Sequence, residues 1–362
     1  MSTFIERIGT AVPSYSVSQQ EVLDFMLAAH RLDGEGADRL KILYRATGIS
    51  TRHSVIQDYA NTEVFEFFPP SDDLEPFPGT KKRQERYRKD AIRLSMEAVN
   101  NCLGDLDPAT ITHLITVSCT GMYAPGLDID LVNSIGLSPD VRRTAINFMG
   151  CYAAFNALKV ADAFCKHSEE VNVLVVSTEL CTLHFQKEPT EDNLLANAIF
   201  GDGSAAVLLT NRPSAKAGLY IEDSYATLAP GGSDEMAWNI GDHGFEMKLS
   251  AYVPDFIEKN IGEFLTGIPG NDPGKVYDYY ALHPGGKRIL QVLEKTLGIT
   301  AEMNCHSRHI LRHYGNMSSA TILFVLERIM KGLDAGDAGK KVLALAFGPG
   351  LTLESMIFRT GS

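Results

Sequence analysis

Residues 147–164 read NFMGCYAAFNALKVADAF, in which Cys151 follows a glycine and precedes an alanine-rich run without proline. This composition predicts a helix that begins at the cysteine. At a helix N-terminus the unpaired N–H groups and the helix dipole stabilise a thiolate, and a nearby histidine would lower the thiol pKa further. The stretch therefore predicts a nucleophilic cysteine. A buried structural cysteine, the commonest role of a free thiol, is the alternative.

The surroundings of Cys151 recur in the second part of the chain. In the first part a strand-like run ends near Cys119, and a helix begins at Cys151 after a glycine. In the second part such a run ends near His283, and a helix begins beyond Asn316, again after a glycine. The two intervals are 32 and 33 residues, and an apolar strand follows each helix. We therefore predict two similar halves that face one site, where Cys151, His283 and Asn316 meet.

The alternation of strands and helices predicts the fold class. Strand-like runs rich in β-branched residues alternate with segments of helical periodicity, which is typical of a layered α/β fold. The strands are almost continuously apolar, which indicates that both faces of their sheet are covered. The two halves would span residues 1–212 and 213–362. The clearest strands are predicted at residues 111–119, 171–178, 205–210 and 342–347, and the clearest helices at residues 89–102, 153–166, 287–297 and 319–331.

The charge of the chain excludes some classes of partner. A net charge of -12 over 362 residues argues against a nucleic-acid backbone or an anionic membrane as the main partner. A basic run, KKRQERYRKD at residues 81–90, follows a proline-rich acidic loop at residues 67–80. We interpret this run as the solvated start of the next helix, with a ligand-facing basic patch as the alternative.

Cysteine usage and hydropathy predict the compartment. Six cysteines are spread along the chain without a C-x-x-C pair, which fits a reducing environment better than a disulfide scaffold. The first residues lack the pattern of a secretory signal, and no stretch approaches eighteen apolar residues. We therefore expect a cytoplasmic protein that does not insert into a membrane.

Two further residues could join Cys151 in chemistry. His283 lies in YYALHPGG, at the end of an apolar strand and before a turn, where α/β proteins gather functional groups. Asn316 lies in HYGNMSSATILFVL. A core histidine and a helix-capping asparagine are the alternatives. We expect no metal, because zinc requires four well-placed ligands, and the spacing is unsuitable in the only comparable cluster, Cys305, His306, His309 and His313.

Several longer motifs resemble the type III polyketide synthases, the chalcone and stilbene synthase-like branch of the thiolase-fold condensing enzymes. The resemblance runs from about residue 110 to residue 356, with an N-terminal match near residue 48. It implies a duplicated thiolase fold with αβαβα layers, a homodimer, and acyl-CoA and malonyl-CoA as substrates without another cofactor. The matching segments are TGISTRH (47–53), CTGMYAPGLDIDL (119–131), NFMGCYAAFNALKVA (147–161), IFGDGSAAVLL (199–209), ALHPGGKRIL (281–290), RHILRHYGNMSSATILFVL (308–326) and AFGPGLTLE (346–354).

Carried over by position, the resemblance implies a role for each motif residue. Cys151 resembles the acyl-loading nucleophile of the family, His283 and Asn316 its decarboxylation residues, and Phe200 its gatekeeper aromatic. Other positions correspond to the walls of the family's reaction cavity, and some of them differ from the plant enzymes, which leaves the product open. These positions are Thr120, His184, Met247, Ser318 and Ala346. Candidates for contacts with CoA are Arg52 and the nearby Arg45, and two ordinary surface arginines are the alternative.

Two other classes of enzyme remain open at this stage. A ketoacyl-ACP synthase III-like or pyrone-forming ketosynthase would share the cysteine, histidine and asparagine but take substrates bound to a carrier protein. The motifs AFGPGLTLE and RHYGNMSSA favour the polyketide synthase. A Cys-His-Asn thiol hydrolase is the remote alternative, and it would leave the duplicated architecture unexplained.

Overall fold

The computed structural model describes residues 2–60, 65–214, 217–232, 235–271 and 276–361. The strands are β1 (Phe4–Ala11), β2 (Tyr15–Ser18), β3 (Thr51–Ser54), β4 (His113–Ser118), β5 (Arg142–Asn147), β6 (Asn172–Leu180), β7 (Asp202–Thr210), β8 (Leu219–Leu228), β9 (Met236–Gly241), β10 (Gly244–Leu249), β11 (Tyr279–Leu282), β12 (Lys341–Gly348) and β13 (Thr352–Thr360). The helices are α1 (Gln19–Ala29), α2 (Gly34–Ala46), α3 (Thr80–Leu103), α4 (Leu127–Ile135), α5 (Ala153–His167), α6 (Glu191–Ile199), α7 (Val253–Gly267), α8 (Lys287–Leu297), α9 (Cys305–Tyr314) and α10 (Thr321–Gly332).

Nine strands form one sheet, in which the same pattern of strand pairings repeats outward from the middle on both sides. The order is β11-β12-β13-β8-β1-β7-β6-β4-β5, and the two halves of the chain meet where β8 pairs with β1. On each side the next two pairings are antiparallel and the third is parallel. Strand β5 extends the first half beyond this common set. The predicted duplication is therefore confirmed in the topology.

Alternating residues of the strands face two different cores, because successive side chains of a strand point to opposite faces of the sheet. In β6, Leu174 packs in the core that contains α3, whereas Val175 packs in the core that contains α5 and α10. In β12, Leu343 faces the core of α7 and α8, and Val342 faces α5 and α10. Helices α5 and α10 thus form a central layer between the two halves. The result is the expected αβαβα arrangement, with both faces of the predicted strands covered.

The basic run at residues 81–90 is helical, as predicted, but only part of it is exposed to solvent. Helix α3 begins at Thr80, one residue before this run and nine residues before the clearest helical segment predicted at residues 89–102. Within the run, Arg83 is completely buried. Its side chain donates hydrogen bonds to the carbonyl oxygens of Pro78 and Phe185, and its guanidinium lies 4.8 Å from the centre of the Phe77 ring. The interpretation of the whole run as solvated was therefore wrong at Arg83, because backbone carbonyls replace water around this cation.

Across the described ranges, no helix has both the length and the apolar character that crossing a membrane demands.

Candidate active site

Cys151, His283 and Asn316 line the same cavity, although they are far apart in the sequence. Cys151 lies two residues before α5, His283 directly follows β11, and Asn316 precedes the short 3-10 turn that leads into α10. All three are buried, with exposed fractions of 6%, 2% and 3%. The meeting predicted from the duplicated pattern is therefore present.

The backbone before Cys151 requires glycine. Gly150 has a φ of +85°, and a Cβ atom at this position would lie 2.3 Å from Cδ of Pro349. The N–H of Gly150 donates to Sγ of Cys119 over 3.0 Å, and the carbonyl of Gly150 accepts from the N–H of Ala153, where α5 begins. These contacts fix the position of the Cys151 sulfur at the start of the central helix.

Asn316 is held through its backbone and through its side-chain oxygen. Its N–H donates to the carbonyl of Ile199 over 2.9 Å, and its carbonyl accepts from the N–H of Gly201 over 3.0 Å. Its Oδ1 accepts from the N–H of Ser318 over 2.9 Å and from the hydroxyl of Thr321 over 3.3 Å. Interaction with the side chain of Asn316 lowers the pKa of Cys151. Asn316 is not the N-cap of α10, whose cap residue is Ala320.

The ring of His283 is free to act on a substrate. Neither of its ring nitrogens has a hydrogen-bond partner within the described ranges, although the residue is buried. Burial lowers the pKa of His283 to about 3, so the ring is neutral at physiological pH. A neutral imidazole carries one N–H donor and one acceptor nitrogen. It can therefore accept a proton at one atom and donate a hydrogen bond at the other.

The resting state of Cys151 differs from the thiolate that the sequence suggested. Burial raises the pKa of Cys151 to about 11, hydrogen bonds from Ser318 and Asn316 lower it, and the nearby carboxyl of Glu179 raises it. Desolvation disfavours the charged form of a thiol and here outweighs the helix N-terminus. The site therefore holds a neutral thiol and a neutral imidazole in one cavity, and activation requires a proton transfer.

Glu179 is a buried acidic residue that sequence reasoning missed. It lies near the end of β6 and accepts hydrogen bonds from the N–H of Cys119 and the hydroxyl of Thr120, both over 2.9 Å, and from the hydroxyl of Ser319. Burial raises its pKa, and these hydrogen bonds lower it. The signal that could have identified it is an acidic residue inside the otherwise apolar run VLVVSTEL.

The predicted cavity residues line this cavity, except Ala346, which is buried in the core around the central helices. His184 is the most tightly held of them: its Nε2 donates to the carbonyl of Thr120 over 2.7 Å, and its Nδ1 accepts from the N–H of Phe245 over 2.9 Å. Its ring stacks on Phe245 with 4.4 Å between centroids. Burial lowers the pKa of His184 to about 3, so this wall stays uncharged. The residues that we predicted from the motifs and that line the cavity beside the three central ones are Arg52, Thr120, His184, Phe200, Met247 and Ser318.

Trp238 also lines the cavity and was not predicted. It is the only tryptophan of the chain and lies on β9, half-buried. Its Nε1 donates to the carbonyl of Cys119 over 2.6 Å, and its ring meets that of His184 edge-on at 5.5 Å. No local pattern in the sequence indicates this position, because the contact depends on how the β9–β10 hairpin folds back over the cavity.

Arg52 and Arg45, the two candidates for CoA contacts, have different environments. Arg45 is exposed near the end of α2. Arg52 is only 4% exposed, and its Nη1 donates to the carbonyls of Asn197 and Phe200 over 2.8 and 2.6 Å. Phe200 follows the last residue of α6 and is half-buried at the cavity wall. The guanidinium of Arg52 therefore faces backbone carbonyls rather than solvent.

Two central helices whose starts meet in one cavity, within a duplicated five-layer α/β architecture, define the thiolase-fold class. Comparison with protein families agrees. The family model "Chalcone and stilbene synthases, N-terminal domain" matches residues 2–213, and the corresponding C-terminal domain matches residues 221–361. The chain therefore belongs to the chalcone and stilbene synthase family and is a type III polyketide synthase.

Individual relatives are similar over nearly their whole length. Type III polyketide synthase A of Arabidopsis thaliana is 32% identical over 98% of this chain and 91% of its own. The α-pyrone synthesis polyketide synthase-like protein Pks18 of Mycobacterium tuberculosis is 29% identical over 98% of this chain and 90% of its own. The crystal structure of PKS-I from the brown alga Ectocarpus siliculosus superimposes with a TM-score of 0.91 at 28% identity, covering 99% of this chain and 98% of that one.

Proposed function

We propose that the protein is an acyltransferase that loads an acyl-CoA starter on Cys151 and extends it with malonyl-CoA. The extended chain then cyclises to a pyrone- or phenol-type product. The observation that carries the proposal is the shared buried cavity of Cys151, His283 and Asn316. Membership of the family supports the reaction class, and the name of the mycobacterial relative, which refers to α-pyrone synthesis, supports a pyrone as product.

In the loading step, the neutral imidazole of His283 accepts the proton of the Cys151 thiol. The resulting thiolate attacks the carbonyl carbon of the acyl-CoA thioester, and the C–S bond to CoA breaks. CoA leaves as a thiol with the proton that His283 carried. This assignment uses the free ring nitrogens of His283, and it explains how a thiol whose pKa is raised to about 11 can react at neutral pH.

In the extension step, malonyl-CoA loses CO2. The electron pair of the broken C–C bond forms an enolate on the remaining acetyl-CoA unit. The N–H groups of Asn316 and His283 donate to the enolate oxygen. One such preorganised donor contributes about 3–4 kcal/mol to a transition state in which negative charge develops. The enolate carbon attacks the thioester carbonyl on Cys151, the C–S bond to the cysteine breaks, and the thiolate that leaves takes a proton from solvent. The sequence of steps needs no metal and no cofactor beyond the CoA thioesters.

The remaining lining residues set the space for the growing chain. We propose that Phe200 separates the CoA entrance from the reaction cavity. Thr120, His184, Met247 and Ser318 form the walls, with the unpredicted Trp238 added to them. The exposed Arg45 is the better candidate for a CoA phosphate, since Arg52 is buried and its Nη1 donates to two backbone carbonyls.

We further propose that the protein is a cytoplasmic homodimer. Each subunit would consist of two halves, residues 1–212 and residues 213–362. The dimer is supported by β5, a half-exposed strand at the edge of the sheet, and by the exposed side chains of Met122 and Met149 near the cavity. The matching pairing pattern on the two sides of β1 and β8 supports the division. Sedimentation or gel filtration at micromolar concentration tests the dimer, and a monomer would reject it.

The decisive experiment incubates the protein with malonyl-CoA and a panel of short, aromatic and long-chain acyl-CoAs, with products identified by mass. We expect CO2 release and extended pyrone- or phenol-type products. The Cys151→Ala variant should form no acyl-enzyme, since it lacks the sulfur. Clean hydrolysis of the thioesters without an extended product would reject the synthase, and label retained on the Cys151→Ala protein would reject the nucleophile.

A further inference from the structure

Arg52 is a buried cation with an unusual position in the fold. It lies on β3, is 4% exposed, and donates from Nη1 to the carbonyls of Asn197 and Phe200. These two carbonyls belong to the C-terminal end of α6, where the helix dipole favours a positive charge. Tyr44 and Asp202 lie close enough to stabilise the charge further. A buried charge needs such partners. The two carbonyls come from the segment that carries Phe200.

The stem of Arg52 also packs against the segment that carries Asn316. A Cβ atom on Gly315 would lie 3.0 Å from Cδ of Arg52 and 2.7 Å from the carbonyl oxygen of Ile199. A Cβ atom on Gly201 would lie 2.7 Å from the carbonyl oxygen of Tyr314. Two glycines therefore allow residues 199–201, which include Phe200, and residues 314–316, which include Asn316, to approach each other beside Arg52.

A backbone bridge joins the same two segments. Phe200 and Asn316 form an isolated parallel β-bridge, with hydrogen bonds from the Asn316 N–H to Ile199 and from the Gly201 N–H to Asn316. The bridge has only these two hydrogen bonds, so its register needs further support. Arg52 supplies this support because it hydrogen-bonds one segment and packs against the other.

We infer that Arg52 is a positioning residue that fixes Phe200 relative to Asn316, so that entry of malonyl-CoA and stabilisation of its enolate stay coupled. The inference rests on the proposed function, and it assigns Arg52 to the backbone of the site rather than to CoA. Without the guanidinium, the end of α6 loses two hydrogen bonds, and the bridge shifts. Asn316 then no longer reaches the Cys151 sulfur or the enolate oxygen in one geometry.

The test compares Arg52→Met, which keeps the length of the stem, with Arg52→Lys, which restores a cation. Arg39→Met is the matched control, because Arg39 is exposed on α2 and pairs with Glu35 across one helical turn. Two quantities are measured: the rate at which iodoacetamide alkylates Cys151 at pH 8, and the CO2 released per carbon–carbon bond formed. Thermal unfolding of each variant records the folded fraction.

In Arg52→Met we expect alkylation to slow by about 2- to 10-fold, the worth of one hydrogen bond that lowers the thiol pKa. We also expect more CO2 per bond formed than in the wild type. Arg52→Lys should recover part of both losses, and Arg39→Met should match the wild type. Wild-type values in a folded Arg52→Met protein would overturn the inference. So would losses that only follow the folded fraction, because these indicate general support of the fold.

The alkylation experiment does not depend on polyketide formation. If the wild-type protein makes no extended product, the proposed function fails, while the alkylation rates of the Arg52 variants still decide whether Arg52 positions Asn316. If the wild type is active and Arg52→Met retains its rate and its coupling, the inference fails alone.

Discussion

Replacing Asn316 by alanine should separate the chemistry of extension from that of loading. The side chain of Asn316 lowers the pKa of Cys151, and in the proposed mechanism its amide also donates to the enolate oxygen. Its Oδ1 accepts from the N–H of Ser318 over 2.9 Å. Asn316→Ala therefore removes a donor from the reacting atoms and leaves one buried backbone N–H without its partner.

These two losses have different magnitudes and different readouts. The unpaired Ser318 N–H should lower the free energy of unfolding by about 1–3 kcal/mol. Loss of the donor to the enolate should lower the rate of malonyl-CoA decarboxylation by about 10²- to 10³-fold, which corresponds to about 3–4 kcal/mol. Loading of Cys151 should fall by only about 2- to 10-fold, because the amide contributes one hydrogen bond to the sulfur.

Thr321→Val is the matched control for the cost in folding. The hydroxyl of Thr321 accepts from the N–H of Met317 over 2.8 Å, so this variant also leaves one buried N–H unpaired, one residue from the other. It keeps the Asn316 amide and the 2.9 Å bond from the Ser318 N–H to Oδ1, and of the bonds to that oxygen it loses only the longer one, from the Thr321 hydroxyl. The assay measures CO2 release from malonyl-CoA and acyl transfer to Cys151 in both variants, normalised to folded protein. Equal decarboxylation in Asn316→Ala and Thr321→Val would refute the role of the amide.

Three other predictions concern the cavity and its titrating groups. Trp238→Ala should raise the ratio of kcat/KM for long over short acyl-CoA starters, because it removes an indole from the cavity wall; an unchanged ratio would contradict this. Since burial raises the pKa of Cys151 to about 11, alkylation of the ligand-free enzyme by iodoacetamide should rise steadily from pH 7 to pH 10. A plateau near pH 7 would instead indicate a resting thiolate. His184 and His283 have their pKa lowered from 6.5 to about 3 by burial, so the unfolded chain binds protons in this window that the folded chain does not. The free energy of unfolding should therefore fall from pH 6.5 towards pH 3. In urea titrations the double variant His184→Gln/His283→Gln should lose less free energy of unfolding over this range. An equal loss in the wild type and the variant would contradict the prediction.

The fold was predictable because its strands and turns carry strong local signals. A strand buried on both faces must be apolar along its whole length, and the predicted runs lie within β4, β6, β7 and β12 or differ from them by a few residues. The glycines before the two central helices have φ values of +85° at Gly150 and +69° at Gly315, which other residues rarely adopt. The repeated order of strand, glycine and helix is therefore a physical requirement, and it was readable without coordinates.

Buried charge and the state of the thiol were not predictable in this way. Arg83 and Arg52 look like surface cations in the sequence, but both donate to carbonyls that come from distant segments. The pKa of Cys151 was expected to be low from the local helix start and a nearby histidine. It is raised because strands, helices and the hairpin of Trp238 together exclude water, and this exclusion depends on the whole tertiary structure. Local sequence gives the identity of a titrating group but not its solvation.

The duplicated fold places two residues from each half in the site, but the site uses them differently. They are Cys119 and Cys151 from the first half and His283 and Asn316 from the second. Cys119 and His283 both directly follow a strand, β4 and β11, that occupies the same place in its half of the sheet. The Cys119 sulfur accepts from the N–H of Gly150 and so supports the segment that carries Cys151. The ring of His283 has no such bond among the described residues and is left for the substrate. One strand end thus supports the nucleophile and the other supplies the proton acceptor, which is how two similar halves can form an asymmetric site.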